Sequence, residues 1–321
     1  MVLLPLWAVY RLHAPVSLRR PVVHVNIPKG SHAKSISNIL REAGVELDRH
    51  WFVLFTRLRR TSGSLKSGEY LFEEGATLLD VLRKIEAGRC LTVKVTFPEG
   101  FRTTQIADRL AEAGVIQDEE AFLNWCVDEA FVRSLGIDAP RAAGFLYPDS
   151  FLFSRGMNEK DVVAIMVQRF FDVLPDEYVD KAEALGLSLH EAVTLASIVE
   201  KEAVVDEERR IISAVFHNRL NKGWPLQSDP CVRFATKNFG RHLTYKNLKH
   251  DSPYNTYVHK GLPPGPICNP GLPSLLATVD PVDVGYLFFV SKNNGRHHFS
   301  ESLDEHNKAV WRYQIMNEVG T

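Results

Sequence analysis

The sequence predicts an α+β protein in two parts: a small β-α-α-β subdomain first, then a larger mixed α/β domain. Three observations predict it. A strand–Pro-x-Gly–helix unit occurs twice within the first 115 residues, helical periodicity broken by Pro/Gly loops follows residue 118, and an Asn-Gly hairpin comes near the end. The 321 residues are enough for two domains. With 45% hydrophobic and 24% charged residues, the chain is of ordinary globular composition.

The elements follow in order. Met1–Tyr10 is apolar but only about half the ~20 residues a membrane span needs, and it has no basic start or small-residue cleavage site. Arg11, Arg19 and Arg20 come next, so residues 1–21 read either as a surface-packed terminus or as the trailing end of a membrane anchor. In the first repeat, Ile27-Pro28-Lys29-Gly30 precedes Ile36, Leu40, Ala43, Gly44 and Val45. In the second, Phe97-Pro98-Glu99-Gly100 precedes Ile106, Leu110, Ala113, Gly114 and Val115. Each copy predicts a strand, a tight Pro-x-Gly turn and an amphipathic helix closed by a C-cap glycine. Between them Trp51–Phe55 predicts a short helix, Ser67–Phe72 a strand and Thr77–Ala87 a helix. Strand–helix–helix–strand over some fifty residues resembles a LysM module, which implies a grip on N-acetylated sugar chains for residues 22–92.

From Asp118 to Leu185 the chain reads mainly helical. The interruption at Ala143-Gly-Phe-Leu-Tyr-Pro-Asp149 is a loop whose aromatics either stack on a ligand or cap a core. A helix then carries Leu195-Ala-Ser-Ile-Val-Glu200-Lys201-Glu202-Ala203, with acidic side chains inside an apolar run. A carboxylate resists burial, so such a group finds a partner or has its pKa raised. At 100° per residue, Glu200 and Glu202 point about 200° apart and cannot share a pocket. Glu202 lies over Leu195, Ile198 and Val199, and Glu200 over the smaller Val193, Ala196 and Ser197. Glu202 is therefore the candidate desolvated acid and Glu200 the ion-paired or supporting residue, with Glu200 as the fallback acid. The plainer alternative has both carboxylates meeting Lys201, Arg209 or Arg210 in solvent.

Residues 207–220 predict a second amphipathic helix containing Val215-Phe-His-Asn-Arg-Leu220. Leu226-Gln-Ser-Asp-Pro230, Ser252-Pro-Tyr-Asn-Thr-Tyr257 and Gly261-Leu-Pro-Pro-Gly-Pro-Ile267 follow, then Asn269-Pro270-Gly271. Such loops have few backbone conformations and hold neighbouring polar side chains still. The turn Asn294-Gly295 joins strands at Tyr286–Ser291 and Arg296–Ser300, placing His297 and Phe299 on one face and His298 on the other. His297, His298 and His306 lack the helical pairing of a metal site, so no metal or cofactor is expected. Cys90, Cys126, Cys231 and Cys268 are scattered without CxxC spacing, and a net charge of −1 without a basic run argues against nucleic acid.

The ordered set ASIVEKEA, VFHNRL, LQSDP, SPYNTY, GLPPGPICNPG and HHFSESLDEHN resembles the endolytic murein transglycosylases, the YceG/MltG-like family, over residues 22–315. The resemblance implies a small LysM-like β-α-α-β N-terminal subdomain plus a larger mixed α/β catalytic domain at 93–321. It implies a lyase held in the cell (inner) membrane by a single-pass N-terminal anchor, with its catalytic domain periplasmic or extracytoplasmic. Its substrate would be nascent peptidoglycan, cut between N-acetylmuramic acid and N-acetylglucosamine to leave 1,6-anhydro ends and so limit strand length. Penicillin-binding peptidoglycan synthases are the implied partners. Aligned on the family, the catalytic acid is the second glutamate of Glu-Lys-Glu, Glu202. Cys231 stands where the family usually has threonine, which puts a hydroxyl contact there in doubt.

In this chemistry one carboxyl serves as acid and then as base, whereas paired-carboxylate glycosidases need a second acid ~5–9 Å away. Asp229 is the conceivable second acid, which keeps hydrolysis open. Gln227, Tyr254 and Asn255 are candidates to hydrogen-bond N-acetyl groups and orient the glutamate. Tyr257 is a candidate to stack on a sugar and His297 to donate from the hairpin; each is otherwise a loop-stabilising residue. A glycan-binding scaffold without chemistry and a cytoplasmic regulator are the competing classes; the intact Glu-Lys-Glu disfavours the first.

Overall fold

The computed structural model describes residues 3–28, 30–240 and 242–316. The chain is a mixture of helices and small two-stranded sheets divided into two compact units. The first comprises residues up to Val95 together with Arg109–Asp118 and Phe151–Asn158, and the second comprises the remainder.

The first unit begins with α1 (Leu3–His13) and β1 (Ser17–Leu18), followed by β2 (Val22–Ile27), α2 (Ala33–Ala43), β3 (Val45–Glu46), α3 (Arg49–Leu58), β4 (Gly68–Glu73) and α4 (Leu78–Glu86). β2 and β4 pair antiparallel from Val22↔Glu73 to Ile27↔Gly68, with α2 and α3 between them in sequence. Alternation along both strands turns Val23, Val25 and Ile27 inward with Tyr70 and Phe72. These side chains meet Ile36 and Leu40 of α2, Phe52 of α3 and Val81, Leu82 and Ile85 of α4 in one core. The helix ends follow the sequence. Gly44 closes α2 at φ +106°, a conformation that disfavours any residue with a Cβ, and Thr77 starts α4 in a capping box with Asp80. Lys29, in the first Pro-x-Gly, lies outside the described residues, as do Met1 and Val2. Among the described residues no single helix is long and apolar enough to cross a membrane.

β5 (Thr92–Thr96) and α5 (Thr103–Glu112) form the second copy of the repeat, and α6 (Glu119–Trp125) and α7 (Glu129–Ser134) follow. Ser150–Ser154 is a strand, β6, paired with β5, where the sequence reads as helix around a loop. The run SFLFS alternates within five residues: Phe151 and Phe153 are buried while Leu152 is exposed, a period of two too short to stand out. In the preceding loop Phe145, Leu146 and Tyr147 are buried, so its aromatics cap a core.

The second unit continues through α8 (Glu159–Val173), α9 (Tyr178–Ala184), α10 (Leu189–Glu202), α11 (Arg209–Asn221), α12 (Asp229–Thr236), α13 (Tyr245–Leu248) and α14 (Leu272–Val279). The hairpin β7 (Phe288–Ser291) and β8 (His297–Ser300) then leads to α15 (Leu303–Val310). α10 is the axis of this unit. Ser188 caps it with Glu191, every residue from Ala192 to Val199 is buried, and α14 and α11 pack on it. Each fully buried Val, Leu or Ile contributes about 1.5–3 kcal/mol, so the helix carrying both glutamates is firmly placed.

Buried polar side chains bind the Pro/Gly loops to this axis. Ser197 Oγ accepts the Ile267 N–H at 3.0 Å while donating to the Thr194 carbonyl. Fully buried Asn269 accepts the Gly144 N–H at 2.8 Å and donates to the Phe101 carbonyl at 2.9 Å.

Candidate active site

The last turn of α10 sends its two glutamates into different surroundings, as the helical geometry requires. Glu200 Oε2 lies 3.2 Å from Arg209 Nη1 and accepts hydrogen bonds from Ser274 Oγ at 2.7 Å and the Gly271 N–H at 3.2 Å. Both side chains of this ion pair are about nine-tenths buried, so it lies in the interior and not in solvent. Glu200 is thereby a structural anchor between α10, α11 and α14.

Glu202 faces a cavity of about 330 Å³ whose walls include Arg219, Gln227, Asp229, Tyr257, His297 and His306. Burial pushes its carboxyl up to about 7; nearby Asp229 pushes the same way, while the Ser228 hydrogen bond and Arg219 oppose. Ser228 Oγ donates to Glu202 Oε1 at 2.7 Å, which leaves Oε2 to carry the acidic proton. Ser228 is itself fixed, because its N–H donates to Thr256 Oγ1 at 2.9 Å and the Gln227 N–H donates to the Thr256 carbonyl at 3.0 Å. Gln227 adopts φ +53°, an uncommon conformation for a residue with a Cβ. The turn places its side chain beside Arg219, whose Nη1 lies 3.2 Å from Gln227 Oε1.

Arg219 ties the walls together. Its Nε donates to the Leu287 carbonyl at 2.7 Å and its Nη1 to the Leu226 carbonyl at 2.9 Å, joining the hairpin to the Gln227 loop. Tyr257 Oη donates to Asp229 Oδ1 at 2.7 Å; burial, and then Asp229, keep the phenol protonated. On the hairpin, Glu208 accepts the His297 N–H at 3.0 Å, and its Oε2 lies 2.7 Å from His297 Nδ1. This fixes the ring and leaves Nε2 for the cavity. Among the described residues no His, Cys, Asp and Glu group is arranged to hold a metal.

A model of the YceG-like family matches residues 25–312. The chain belongs to the YceG-like family. Among relatives of this YceG-like protein, one from Bacillus subtilis (strain 168), named endolytic murein transglycosylase, is 31% identical over 310 residues, 92% of this chain and 85% of the relative. A Streptococcus pneumoniae (serotype 2, strain D39) protein of the same name is 26% identical over 90% of this chain, which spans 58% of that longer protein. A crystal structure of a yceG-like protein from Listeria monocytogenes superposes with a TM-score of 0.61 at 33% identity, covering 90% of this chain and 98% of that one.

Of the residues singled out from sequence, Glu202, Gln227, Asp229, Tyr257 and His297 come together around one cavity. The others lie elsewhere. Asn255 is fully buried, with Nδ2 donating to the His250 and Leu248 carbonyls and Oδ1 accepting the Tyr257 N–H at 3.0 Å. It braces the loop that presents Tyr257. Tyr254 packs on Phe234, ring centroids 4.8 Å apart. Cys231 is buried on α12 against Ser228 and Thr256, and burial pushes its thiol up to about 12.

Sequence reasoning missed Ser228, Arg219 and Glu208. Ser228 sits inside the LQSDP motif, one residue from each of two polar candidates. Arg219 in VFHNRL reads as a solvated helix residue, and Glu208 is one of five consecutive charges, Asp206 to Arg210.

Proposed function

We propose that this YceG-like protein is an endolytic peptidoglycan lytic transglycosylase in which Glu202 is both the acid and the base. One observation carries the reading: the Glu202 carboxyl, raised to about 7 by burial, opens on a polar cavity at the end of a rigid helix. A group with this pKa is about half protonated at pH 7 and can give and retrieve a proton with little cost either way. The name of the 31%-identical Bacillus subtilis relative supports the substrate class.

In this mechanism Glu202 Oε2 delivers its proton to the oxygen between N-acetylmuramic acid and N-acetylglucosamine. The bond from that oxygen to C1 of the muramic sugar breaks, and positive charge at C1 is shared with the N-acetyl carbonyl. The muramic C6 hydroxyl then attacks C1 while its proton returns to Glu202, closing a 1,6-anhydro ring. No water is consumed, and the carboxyl is regenerated. Ser228 steadies Oε1 throughout. In this reading Gln227, Tyr257 and the Glu208-held His297 contact the sugars, and Arg219 keeps the cavity walls in register.

Hydrolysis is the second reading, favoured by Asp229 on the same cavity wall. It needs Asp229 to activate water, and one Asp229 oxygen is already bound by Tyr257. Digestion of uncrosslinked glycan strands, with product masses read for the wild type and Glu202→Gln, separates the outcomes. Internal fragments ending in 1,6-anhydro-N-acetylmuramic acid, lost in the variant, support the lyase. Reducing ends carrying an added water replace it with the hydrolase, and no cleavage of bound strands leaves a glycan-binding scaffold.

We further propose that residues 22–92 act as a LysM-like glycan grip for a catalytic domain at 93–321, and that cleavage of nascent strands beside peptidoglycan synthases limits their length. The paired β2 and β4 with two intervening helices support the first part. On α1, exposed Trp7, Val9 and Tyr10 with Arg11 over the Trp7 ring make a surface suited to a membrane interface. This supports action at the cell membrane.

A further inference from the structure

A second cavity of about 420 Å³ lies in the second unit, with Phe234, Phe239 and Ile267 among its apolar walls and Arg102, Arg141 and Lys237 as its cations. The Arg102 guanidinium lies 3.6 Å over the Phe239 ring, and Asp108 is the carboxylate whose charge acts on it. Arg102 is half-buried while Arg141 and Lys237 are exposed. Cations around an apolar hollow suit a ligand with an apolar body and a terminal anion, because guanidinium groups pair with a carboxylate through two parallel hydrogen bonds.

Two paths, one through a hydrogen bond and one along a single helix, tie this cavity to the Glu202 site. Ile267 is hydrogen-bonded to Ser197, and Ser197 precedes Glu202 by five helical residues, a rise of about 7.5 Å. Asp229, at the start of α12, lines the Glu202 cavity, whereas Phe234 and Lys237 at its other end line the second. Eight residues at helical rise span about 12 Å.

We propose that this cavity binds the peptide stem carried by a muramic acid of the strand in the Glu202 cleft. The stem is a short alanine-containing peptide ending in a free carboxylate, and the assignment rests on the glycan-strand reading of Glu202. An extended stem of four or five residues reaches about 13–18 Å, comparable to or longer than the about 12 Å rise of α12, whose two ends line the two cavities. Its methyl groups suit the walls formed by Phe234 and Ile267, and its terminal carboxylate suits the forked guanidinium groups of Arg102 and Arg141. Lys237 adds a point charge. The cavity thereby selects strands whose stems are intact.

The test compares wild type, Arg102→Ala and Arg141→Glu on strands with intact stems and on strands stripped by an amidase. The expected result is a wild-type kcat/KM preference for intact strands and a loss of about tenfold in each variant on those strands alone. In parallel, Glu202→Gln protein is titrated with a synthetic stem peptide and with its C-terminal amide. The free carboxylate is expected to bind about fivefold or more tightly, a difference abolished by adding Arg141→Glu. Equal losses on both strand preparations, or equal binding of acid and amide, overturn the proposal. So does Arg102-dependent binding of polyprenyl-phosphate vesicles in place of the peptide. If wild type cleaves neither preparation while the acid peptide still binds selectively, the glycosidase reading fails and the stem site stands.

Discussion

Replacing Glu202 by Gln tests the central claim through stability, independently of any substrate. Burial raises this carboxyl from 4.5 to about 7. Below pH 4.5 the group is protonated whether the chain is folded or unfolded. As pH rises through the window from 4.5 to 7, the unfolded chain loses this proton while the folded one keeps it, so stability falls. Above 7 the loss is complete. About 2.5 pH units at 1.36 kcal/mol each give about 3 kcal/mol. Glutamine cannot ionise, so the variant escapes this loss, less about 1 kcal/mol if its amide fits Ser228 poorly. Urea unfolding of both proteins from pH 4.5 to 8.5, at constant m-value, reads the difference, and titrating groups that do not interact with Glu202 cancel in the subtraction. The variant is expected to match or fall just below wild type at pH 4.5–5 and to exceed it by about 2–3 kcal/mol at pH 8. A difference that stays flat across this range refutes the buried, raised carboxyl and with it the assignment of Glu202 as the acid.

Four further outcomes follow from the same contacts. Ser228→Ala removes the hydrogen bond that opposes the shift, so the alkaline limb of the pH–rate profile is expected to move up by about one unit. Asp229→Asn removes a neighbouring negative charge and is expected to move that limb down; masses of its products should still show anhydro ends if no second carboxylate is needed. Arg209→Met strands the Glu200 carboxylate in the interior, and chemical denaturation should show a loss of about 3–5 kcal/mol. Gly144→Ala places a Cβ into Pro266 and Val193 at φ +89°; a stability loss above about 2 kcal/mol, seen as reduced unfolding midpoint, is expected.

The sequence made α10 legible because a carboxylate among Leu, Ile and Val is conspicuous, and helix angles alone separated Glu202 from Glu200. The β2–α2–α3–β4 order was likewise readable from strand alternation, helix periodicity and the C-cap glycine Gly44. What escaped was whatever depends on chain crossings. Arg209 was one of three possible partners for Glu200, and only the approach of α14, with Ser274 and the Gly271 N–H, made its pairing an interior one. Glu208 looked like surface charge until the hairpin brought His297 against it, 89 residues away. Tyr254 and Asn255 share a motif with Tyr257, yet one packs on Phe234 and the other braces the loop, because adjacent loop residues need not share a direction. β6 was hidden by its brevity.

α10 ends at Glu202, with Ala203 already extended at ψ 130°. Glu202 therefore stands at the negative pole of a helix macrodipole, where the last unpaired carbonyl groups point the same way. A proton given up there leaves a carboxylate facing a like-signed backbone potential, which draws a proton back. Helix polarity thus favours the neutral group and, in the lytic mechanism proposed above, the recapture of a proton from the C6 hydroxyl. The direction of the chain, as well as the identity of the residue, suits Glu202 to the proposed cycle, which begins and ends protonated.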